Sequence, residues 1–274
     1  MDALKAIIMG LVQGATEFLP VSSSGHLVLF GRILGLTTAA TADADPFLRS
    51  YATMLHMGTL LAVIVALRKE LLGILKDLFG KLTWLLVLGT IPAVVFAVLL
   101  GDVIDQLFTT GETLGFEFIF TGLVLLVAVF LRPGQRGMPE MRWTDALVGG
   151  VGQALAILPA VSRSGCTLVP LLALGVERKA AIRFTFLLSI PAILGGFALD
   201  VKGILSGTGG AQELLQAGVL NLGLGIAAAA VAGFLAIRLM LNLLHRRGFL
   251  WFGIYTVALG AFVLLDQNVL HWIF

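Results

Sequence analysis

The sequence predicts an all-α polytopic membrane protein, with six transmembrane helices and two re-entrant helical hairpins in an inverted-topology repeat. Three observations favour this fold class. Of the 274 residues, 58% are hydrophobic and only 12% are charged, whereas soluble domains average about 25% charged residues. Apolar segments of spanning length recur along the whole chain. A short polar motif near the start returns 140 residues later, at about half the chain length.

Composition also narrows the classes of function. The net charge is only +2, so no extended positive field points to a nucleic-acid partner. Cys166 is the single cysteine, so no internal disulfide stabilises the fold. The 33 glycines are typical of helices that pack closely in lipid. We therefore expect the bilayer to be the surroundings of this chain and expect no nucleic acid.

The first element is predicted to be a re-entrant hairpin. Residues 2–18 form an apolar helix that is too short to span, since a spanning helix needs about 20 apolar residues. Pro20 and the turn at 22–25 break it, and residues 26–36 resume as a second short helix. Irregular backbone at membrane depth is tolerated only inside protein or beside a wet cavity. The break is therefore expected to line such a cavity.

Three full spans are predicted after the first hairpin. A polar loop over Thr37–Pro46, which carries Asp43 and Asp45, leads into them. The segment after the first span is short and amphipathic up to Lys81, and residues 102–113 are a loop or a surface helix. The three predicted spans are Phe47–Leu67, Leu82–Leu100 and Leu114–Leu131.

The second half repeats this order of elements. A helix over Trp143–Leu158, a break at 159–165 and a short helix over Cys166–Leu174 form the second predicted hairpin. A glycine-rich loop at 203–210 separates the first two of the spans that follow. These three predicted spans are Val176–Leu199, Ala217–Asn242 and Phe249–Leu265.

The predicted topology has a sidedness. We expect one integral membrane domain over 1–274, whose repeat halves, about 1–131 and 143–274, are joined by a basic cytoplasmic loop at 132–142. If six spans alternate, most basic residues fall on one side, which the positive-inside rule makes cytoplasmic. Both termini then face the outer, periplasmic side. An odd number of spans separates the hairpins, so they enter from opposite faces and their breaks meet near the midplane.

The repeated motif carries the polar residues. The first copy runs from Gln13 to His26 as QGATEFLPVSSSGH, and the second comprises Gln153 and the stretch VSRSGCT at 161–167. The glutamine, the valine, two serines and the glycine coincide at the constant offset of 140. The alternative is a chance match between short Ser/Gly stretches. The pattern favours two halves of one site. The positions that differ in chemistry are Glu17, Ser23 and His26, which correspond to Ile157, Arg163 and Cys166.

Glu17 is the main candidate for function in the first copy. An ionisable group inside a membrane is costly and predicts a functional site. The alternative is a helix-end carboxylate paired with a lysine, but no basic residue lies within four positions. Gln13 is four residues away and shares its helix face. A carboxylate is also a ligand that Mg²⁺ or Ca²⁺ prefers, and such ions usually arrive with substrate phosphates.

The hydroxyl residues predict phosphate binding. Ser22, Ser23 and Ser24 precede a predicted helix, where serine is also a common N-cap without further function. A helix N-terminus presents free N–H groups and the positive end of the dipole, which suit a phosphate. The second break offers the same geometry together with Arg163, whose guanidinium can bind two phosphate oxygens at once.

Two histidines lie in apolar surroundings. Imidazole titrates near neutrality, so His26 is a nucleophile, a general acid–base or simply a packed histidine. Its position next to Glu17 and the serines favours one of the first two roles. His56, inside the first predicted span, is expected to be structural or to support other site residues.

The stretches PVSSSGH at 20–26 and PAVSRSGCT at 159–167, together with Gln13-x-x-x-Glu17, form a family pattern. They resemble undecaprenyl-pyrophosphate phosphatases of the bacitracin-resistance type, and the resemblance covers the chain, including LHMGTLLA at 55–62. It implies a bacterial inner-membrane hydrolase with two re-entrant hairpins. Such an enzyme removes the terminal phosphate of undecaprenyl diphosphate, recycles the lipid carrier for peptidoglycan synthesis and confers bacitracin resistance. Ala160 replaces the glycine that the family usually has after Pro159, and this departure argues against the family's tight turn here, since glycine permits backbone angles that alanine resists.

The resemblance also implies roles for individual residues. Gln13 stands where many members have a first glutamate, so this pair supplies only one carboxylate. A polyprenyl diphosphate is the implied substrate, Glu17 the implied ligand of Mg²⁺ or Ca²⁺, and a homodimer is left open. The nucleophile is His26, Ser23 or water. The implied residues are, for catalysis, Glu17, His26 and Ser23; for phosphate binding, Arg163, Ser22, Ser162, Ser164 and Thr167; and in support, Gln13 and Gln153.

Transport is the competing function. Secondary transporters are also built from inverted repeats whose broken helices meet at the midplane, so the same site could serve a polyprenyl-phosphate flippase. The two functions differ in their need for a nucleophile. The substitution His26→Ala should therefore end hydrolysis and spare transport.

Overall fold

The chain folds into helices connected mostly by short turns. A computed structural model describes residues 1–37, 46–108, 113–132, 134–158, 160–205, 217–243 and 246–274. Most of the predicted loop at 37–46 lies outside these ranges, as do Pro159 and most of the glycine-rich loop. The α-helices are α1 Ala3–Phe18, α2 Ser23–Ile33, α3 Pro46–Ala66, α4 Arg68–Lys76, α5 Lys81–Phe108, α6 Leu114–Phe130, α7 Trp143–Leu155, α8 Arg163–Ala173, α9 Arg178–Leu205, α10 Val219–Leu243 and α11 Arg246–Leu265.

Five of the described helices are long and apolar enough to cross a membrane. They contain the first, second, fourth, fifth and sixth predicted spans. Helix α6, at the place of the third, is apolar but has only 17 residues. The chain is therefore an all-helical, multi-pass membrane protein in its described ranges. The five segments are Phe47–Ala66, Lys81–Leu100, Arg178–Leu199, Val219–Asn242 and Arg247–Leu270.

Several predicted boundaries were wrong near the polar motifs. Helices α2 and α8 begin at Ser23 and Arg163, three residues before the predicted starts. Ser22 and Ser162 are their N-caps, and each hydroxyl accepts a hydrogen bond from the N–H three residues later, at 3.3 and 3.2 Å. Because the cap satisfies an N–H group that the first turn leaves without a partner, it lets the helix start earlier. Helix α5 also continues to Phe108, into the predicted loop.

The two short helices α2 and α8 end in the same way. Gly35 and Gly175 follow them with φ of 62° and 81°, a left-handed conformation that glycine adopts without strain. The next N–H groups, of Leu36 and Val176, then bond back to carbonyl groups five residues earlier, at 2.8 and 3.1 Å. This is a Schellman motif, and it recurs at the offset of 140.

Helix packing relates the two halves of the chain. Helix α1 packs against α10, and its counterpart α7 packs against α5. Helices α3 and α9 contact one another, as do α6 and α11. Glycines allow the close approaches, because a Cβ on Gly10 would collide with the carbonyl oxygen of Gly225, and one on Gly150 with that of Gly89. Each short hairpin therefore lies against a long helix of the other half.

Candidate active site

The carboxylate of Glu17 lies where three elements converge. Glu17 is near the end of α1, with only 8% of its surface exposed. Its Oε1 is 3.3 Å from Nη2 of Arg163, the first residue of α8. Its Oε2 is 3.3 Å from Nε2 of His56, in the middle of α3. A buried charge without a partner would be strongly destabilising, so the guanidinium of Arg163 stabilises a carboxylate at this depth.

Two neutral side chains also donate to Oε2 of Glu17. Gln13 Nε2, one turn earlier on α1, donates at 3.1 Å, and Ser23 Oγ donates at 2.5 Å. A hydroxyl that donates to a carboxylate forms a short, charge-assisted hydrogen bond. The Ser23 proton is therefore directed at Glu17, which leaves the oxygen lone pairs free for another partner.

His56 is part of this cluster, contrary to the structural role that was one expectation for it. Its Nδ1 lies 2.7 Å from the carbonyl oxygen of Ala52, and since a carbonyl only accepts, Nδ1 carries a proton. Its Nε2 faces Oε2 of Glu17 at 3.3 Å, so the imidazole is a direct partner of this carboxyl group. The signal in the sequence was an ionisable residue inside an apolar span.

His26 lies apart from the carboxylate. Its Nδ1 is 2.6 Å from the carbonyl oxygen of Ser22, and its Nε2 is 2.7 Å from the hydroxyl of Tyr255 on α11. Nδ1–H therefore donates, and Nε2 accepts from Tyr255. The ring also stacks on Tyr255 and meets Phe118 edge-on. No hydrogen bond or ion pair joins His26 to Glu17 among their described contacts. Tyr255 was not among the site residues predicted from the sequence, since a lone tyrosine in an apolar span forms no motif.

The turns of the two hairpins meet each other. Ser164 Oγ donates to the carbonyl oxygen of Leu19 at 3.4 Å. A Cβ on Gly25 would approach that of Ala160 to 3.1 Å. Ser162 is also tied to α6, since its N–H donates to Thr121 Oγ1 at 3.1 Å. The N-termini of α2 and α8 are therefore brought to the same region, with Ser23 and Arg163 in their first turns.

Some polar atoms near the motifs have no partner. Thr167 Oγ1, Gln13 Oε1 and both amide atoms of Gln153 are buried without a hydrogen bond in the described part of the chain. Such atoms cost about 1–3 kcal/mol each, and in native proteins they indicate a water, an ion or a ligand. Thr167 lies one turn after Arg163 on α8. Of these atoms, Gln13 Oε1 lies beside the carboxylate cluster, because the same side chain donates to Glu17.

The oxygen atoms of this region fit a cation that arrives with its substrate. No group of three or more His, Cys, Asp and Glu side chains is assembled for a metal within the described ranges. However, Glu17 and the free Oε1 of Gln13 are oxygen ligands, and Mg²⁺ is typically bound by one or two carboxylates plus substrate phosphates and water. These two oxygen groups alone are too few for a preformed metal centre.

An apolar groove runs along the other side of His26. It has a volume of about 590 Å³ and lies between α1, α2 and α11. Its walls are hydrocarbon except for Thr16, His26 and Tyr255, and it is open on one side. The shape and composition are suited to a hydrocarbon chain that enters from the bilayer. The apolar residues of the wall include Leu11, Val12, Phe30, Trp251 and Phe252.

Comparison with known proteins gives consistent matches over the whole chain. The model of the family described as bacitracin resistance protein BacA matches residues 6–262. An undecaprenyl-diphosphatase of Carboxydothermus hydrogenoformans is 40% identical over 97% of this chain and 98% of the relative. Undecaprenyl-diphosphatase 4 of Bacillus thuringiensis subsp. konkukian is 40% identical with the same coverage. An undecaprenyl-diphosphatase of Halothermothrix orenii is 36% identical over 98% of this chain and 100% of the relative.

Proposed function

The chain belongs to the bacitracin resistance protein BacA family, and on that premise we propose that it is an undecaprenyl-diphosphatase. It hydrolyses undecaprenyl diphosphate to undecaprenyl phosphate and inorganic phosphate. The observation that carries this proposal is the buried Glu17 carboxylate between Arg163 and His56, with the Ser23 hydroxyl hydrogen-bonded to it. The cellular role that follows is recycling of the lipid carrier for cell-wall synthesis, with bacitracin resistance as a consequence.

The proposed topology has six spans and two re-entrant hairpins in an inverted repeat. Its support is the exchange of helix partners between the halves and the repeated Schellman motif. Helix α6 serves as the third span, since 17 residues extend about 26 Å across a hydrocarbon core of about 30 Å. Both termini then face the outer side of the bacterial inner membrane. The repeat halves 1–131 and 143–274 and the homodimer stay predictions.

The proposed binding mode places the lipid chain and the phosphates in different surroundings. The prenyl chain lies in the apolar groove between α1, α2 and α11. The diphosphate reaches the N-termini of α2 and α8, where N–H groups and helix dipoles favour anions. One nitrogen of the Arg163 guanidinium, Nη2, contacts Glu17, and its other N–H groups can donate to phosphate oxygens. Ser22, Ser162 and Ser164 lie in the same two turns, and Thr167 lies one turn further along α8.

The proposed catalytic step uses Ser23 as the nucleophile. Its Oγ attacks the terminal phosphorus while the bond from phosphorus to the bridging oxygen breaks, and undecaprenyl phosphate leaves. The hydroxyl proton passes to Oε2 of Glu17. Because phosphoryl transfer has a loose transition state, positioning of the hydroxyl matters more than a strong base. Water then cleaves the phosphoserine, releasing inorganic phosphate, and the serine oxygen takes back its proton.

Arg163 and a divalent cation have electrostatic roles in this proposal. The Arg163 guanidinium stabilises charge that develops on the transferring phosphoryl group and on the leaving phosphate. Glu17 and the Oε1 of Gln13 would hold Mg²⁺ or Ca²⁺, which neutralises diphosphate oxygens when bound. His26 lies one turn from Ser23 on α2, where it orients the turn through Ser22 and Tyr255.

The test measures phosphate release from undecaprenyl diphosphate by the purified protein in detergent, with Mg²⁺, Ca²⁺ or a chelator. We expect metal-dependent release by the wild type and its loss in Glu17→Gln. The matched control is Glu177→Gln, an exposed carboxylate outside the cluster, which should retain the wild-type rate. If the folded wild type releases no phosphate, the proposed phosphatase activity is wrong, and transport of a lipid phosphate is favoured instead.

A second measurement separates the nucleophiles. Acid quenching during turnover, followed by mass spectrometry of the peptide around residue 23, should detect a phosphorylated serine. The modification should be absent in Ser23→Ala, which should also lack activity. If His26 is phosphorylated instead, or if Ser23→Ala retains activity, the covalent step on Ser23 is wrong.

A further inference from the structure

A basic pocket lies at the end of α3, between α4, α9 and α10. Its volume is about 420 Å³. Four cationic side chains and one carboxylate line it: Arg68, Lys69, Arg183, Arg238 and Glu70. These charges take no part in the proposed reaction. Since α3 rises about 1.5 Å per residue, Ala66, which lines the pocket at the end of α3, is about 15 Å along the helix axis from His56 in the candidate active site.

The pocket has an excess of positive charge. Arg183 Nη1 pairs with Glu70 Oε1 at 3.2 Å. Within the described part of the chain no carboxylate pairs with Arg68, Lys69 or Arg238, and the guanidinium of Arg238 only stacks over the Phe234 ring. Helix α4 begins at Arg68 without a side-chain cap, so its first N–H groups add partial positive charge. The pocket therefore suits an anion.

The depth of the pocket matches that of lipid head groups. Arg183 and Arg238 lie inside the apolar segments Arg178–Leu199 and Val219–Asn242, within about a turn and a half of their ends. Both side chains are exposed. An arginine at such a depth is costly unless it reaches the interface or finds an anionic partner. Basic pockets between spans at the cytoplasmic face, the side predicted here, are suited to anionic lipids.

Two apolar grooves adjoin the basic pocket, one beside α3 and one beside α1, and α10 lines both of them. One lies between α3 and α10, has a volume of about 250 Å³ and shares Val65 and Phe234 with the pocket. The other lies between α1 and α10, has a volume of about 650 Å³ and shares Arg238 and Asn242. A head group in the pocket can therefore extend one hydrocarbon chain along each groove.

We propose that the basic pocket binds the phosphate head group of a two-chain anionic phospholipid, with its acyl chains in the two grooves. The phosphate interacts with Arg68, Lys69 and Arg238 and with the first turn of α4. The paired grooves favour a phospholipid over a single-chain prenyl phosphate, and the hydrocarbon walls favour it over free phosphate. This site is separate from the candidate active site and does not depend on the proposed function.

Native mass spectrometry of the protein, released from detergent with an equimolar mixture of phosphatidylglycerol and phosphatidylcholine, tests the proposal. We expect the wild type to retain one phosphatidylglycerol preferentially. The pocket variant Arg183→Gln/Arg238→Gln should retain it about tenfold less. The control variant Lys179→Gln/Arg247→Gln removes the same charge from exposed residues that do not line the pocket, and it should behave as the wild type.

A second pocket variant tests whether a loss of lipid retention is caused by misfolding. Arg238→Gln leaves the Arg183–Glu70 pair intact, and it should still reduce retention by several-fold while eluting as a monodisperse species. Equal retention by the pocket and control variants would overturn the proposal. So would preferential retention of an added polyprenyl phosphate, or displacement of the phospholipid by inorganic phosphate, because these results assign the pocket to a different phosphate source.

Discussion

The two hairpins share a backbone and differ in the chemistry they carry. In both, a serine N-cap starts the second helix and a left-handed glycine follows it at the offset of 140. The first hairpin supplies Glu17 and Ser23, whereas the second supplies Arg163. The two turns thus share a backbone but bring different side chains to the Glu17 carboxylate. In the proposed function, the helix N-termini of both hairpins bind phosphate, while the side chains that act on it differ between the hairpins.

The turns themselves also differ. In the first hairpin Ser22 has a φ of 73°, and in the second Ala160 has a φ of 57°. A left-handed conformation costs a non-glycine residue about 1–2 kcal/mol. The strain therefore falls at the cap in one hairpin and two residues before the cap in the other. Substitutions at the positions where the two hairpins differ should therefore have unequal effects on activity and stability.

The largest effect is expected at Arg163, the charge that only the second hairpin carries. Arg163→Ala should lower kcat/KM for phosphate release by about 10²–10³-fold, because a donor aimed at developing charge is lost. Arg163→Lys should recover part of this rate, since it restores charge without the paired donors. Steady-state kinetics on both variants measure the difference. A kcat/KM within threefold of wild type for Arg163→Ala would show that the second hairpin supplies no group needed for the reaction.

A smaller effect is expected at His56, which supports the first hairpin from α3. His56→Gln should lower kcat/KM about tenfold, because it removes the imidazole that faces Oε2 of Glu17 at 3.3 Å and helps to position this carboxylate. The same assay measures it. His271→Gln, near the end of the chain, is the matched control and should leave the rate unchanged. If both variants behave alike, the contact of His56 with Glu17 has no catalytic consequence.

Substitution of the two corresponding glutamines should affect different properties: activity at Gln13 and stability at Gln153. Gln13→Met removes a donor to Glu17 and should lower activity by about tenfold. Gln153→Met removes a buried amide without partners and should raise the free energy of unfolding by about 1 kcal/mol. Phosphate release and the thermal midpoint in detergent are measured for both. A loss of stability in Gln153→Met would mean that its amide has a bound partner, such as water.

The smallest effect is expected at the strained turns. Ala160→Gly should relieve the left-handed strain and raise the thermal midpoint by about 2–4 °C, equivalent to about 1 kcal/mol. Ser22→Gly relieves similar strain but also removes the N-cap hydroxyl, so little or no net gain is expected. If Ala160→Gly is destabilising, its packing against the first hairpin outweighs the strain.

The helical membrane class, the repeat offset of 140 and most residues of the carboxylate cluster could be predicted from the sequence alone. Apolar runs of spanning length dictate helices in lipid, because every backbone polar group must be satisfied within its own segment. Ionisable residues in such surroundings are rare, so Glu17 and Arg163 were conspicuous without any coordinates. The N-cap serines were also visible, although the helix starts were placed three residues late because cap and turn residues are the same types.

The contacts between polar residues that are distant in sequence could not be predicted and are known only from the tertiary structure. His56 reaches Glu17 although it is distant in sequence, whereas His26, nearer to Glu17 in the chain, turns to Tyr255. The sequence cannot encode these choices locally, because they depend on the crossing of α1, α3 and α8 and on which face of α2 meets α11. The physical reason is that a buried side chain must satisfy its polar atoms with whatever neighbours the helix packing supplies.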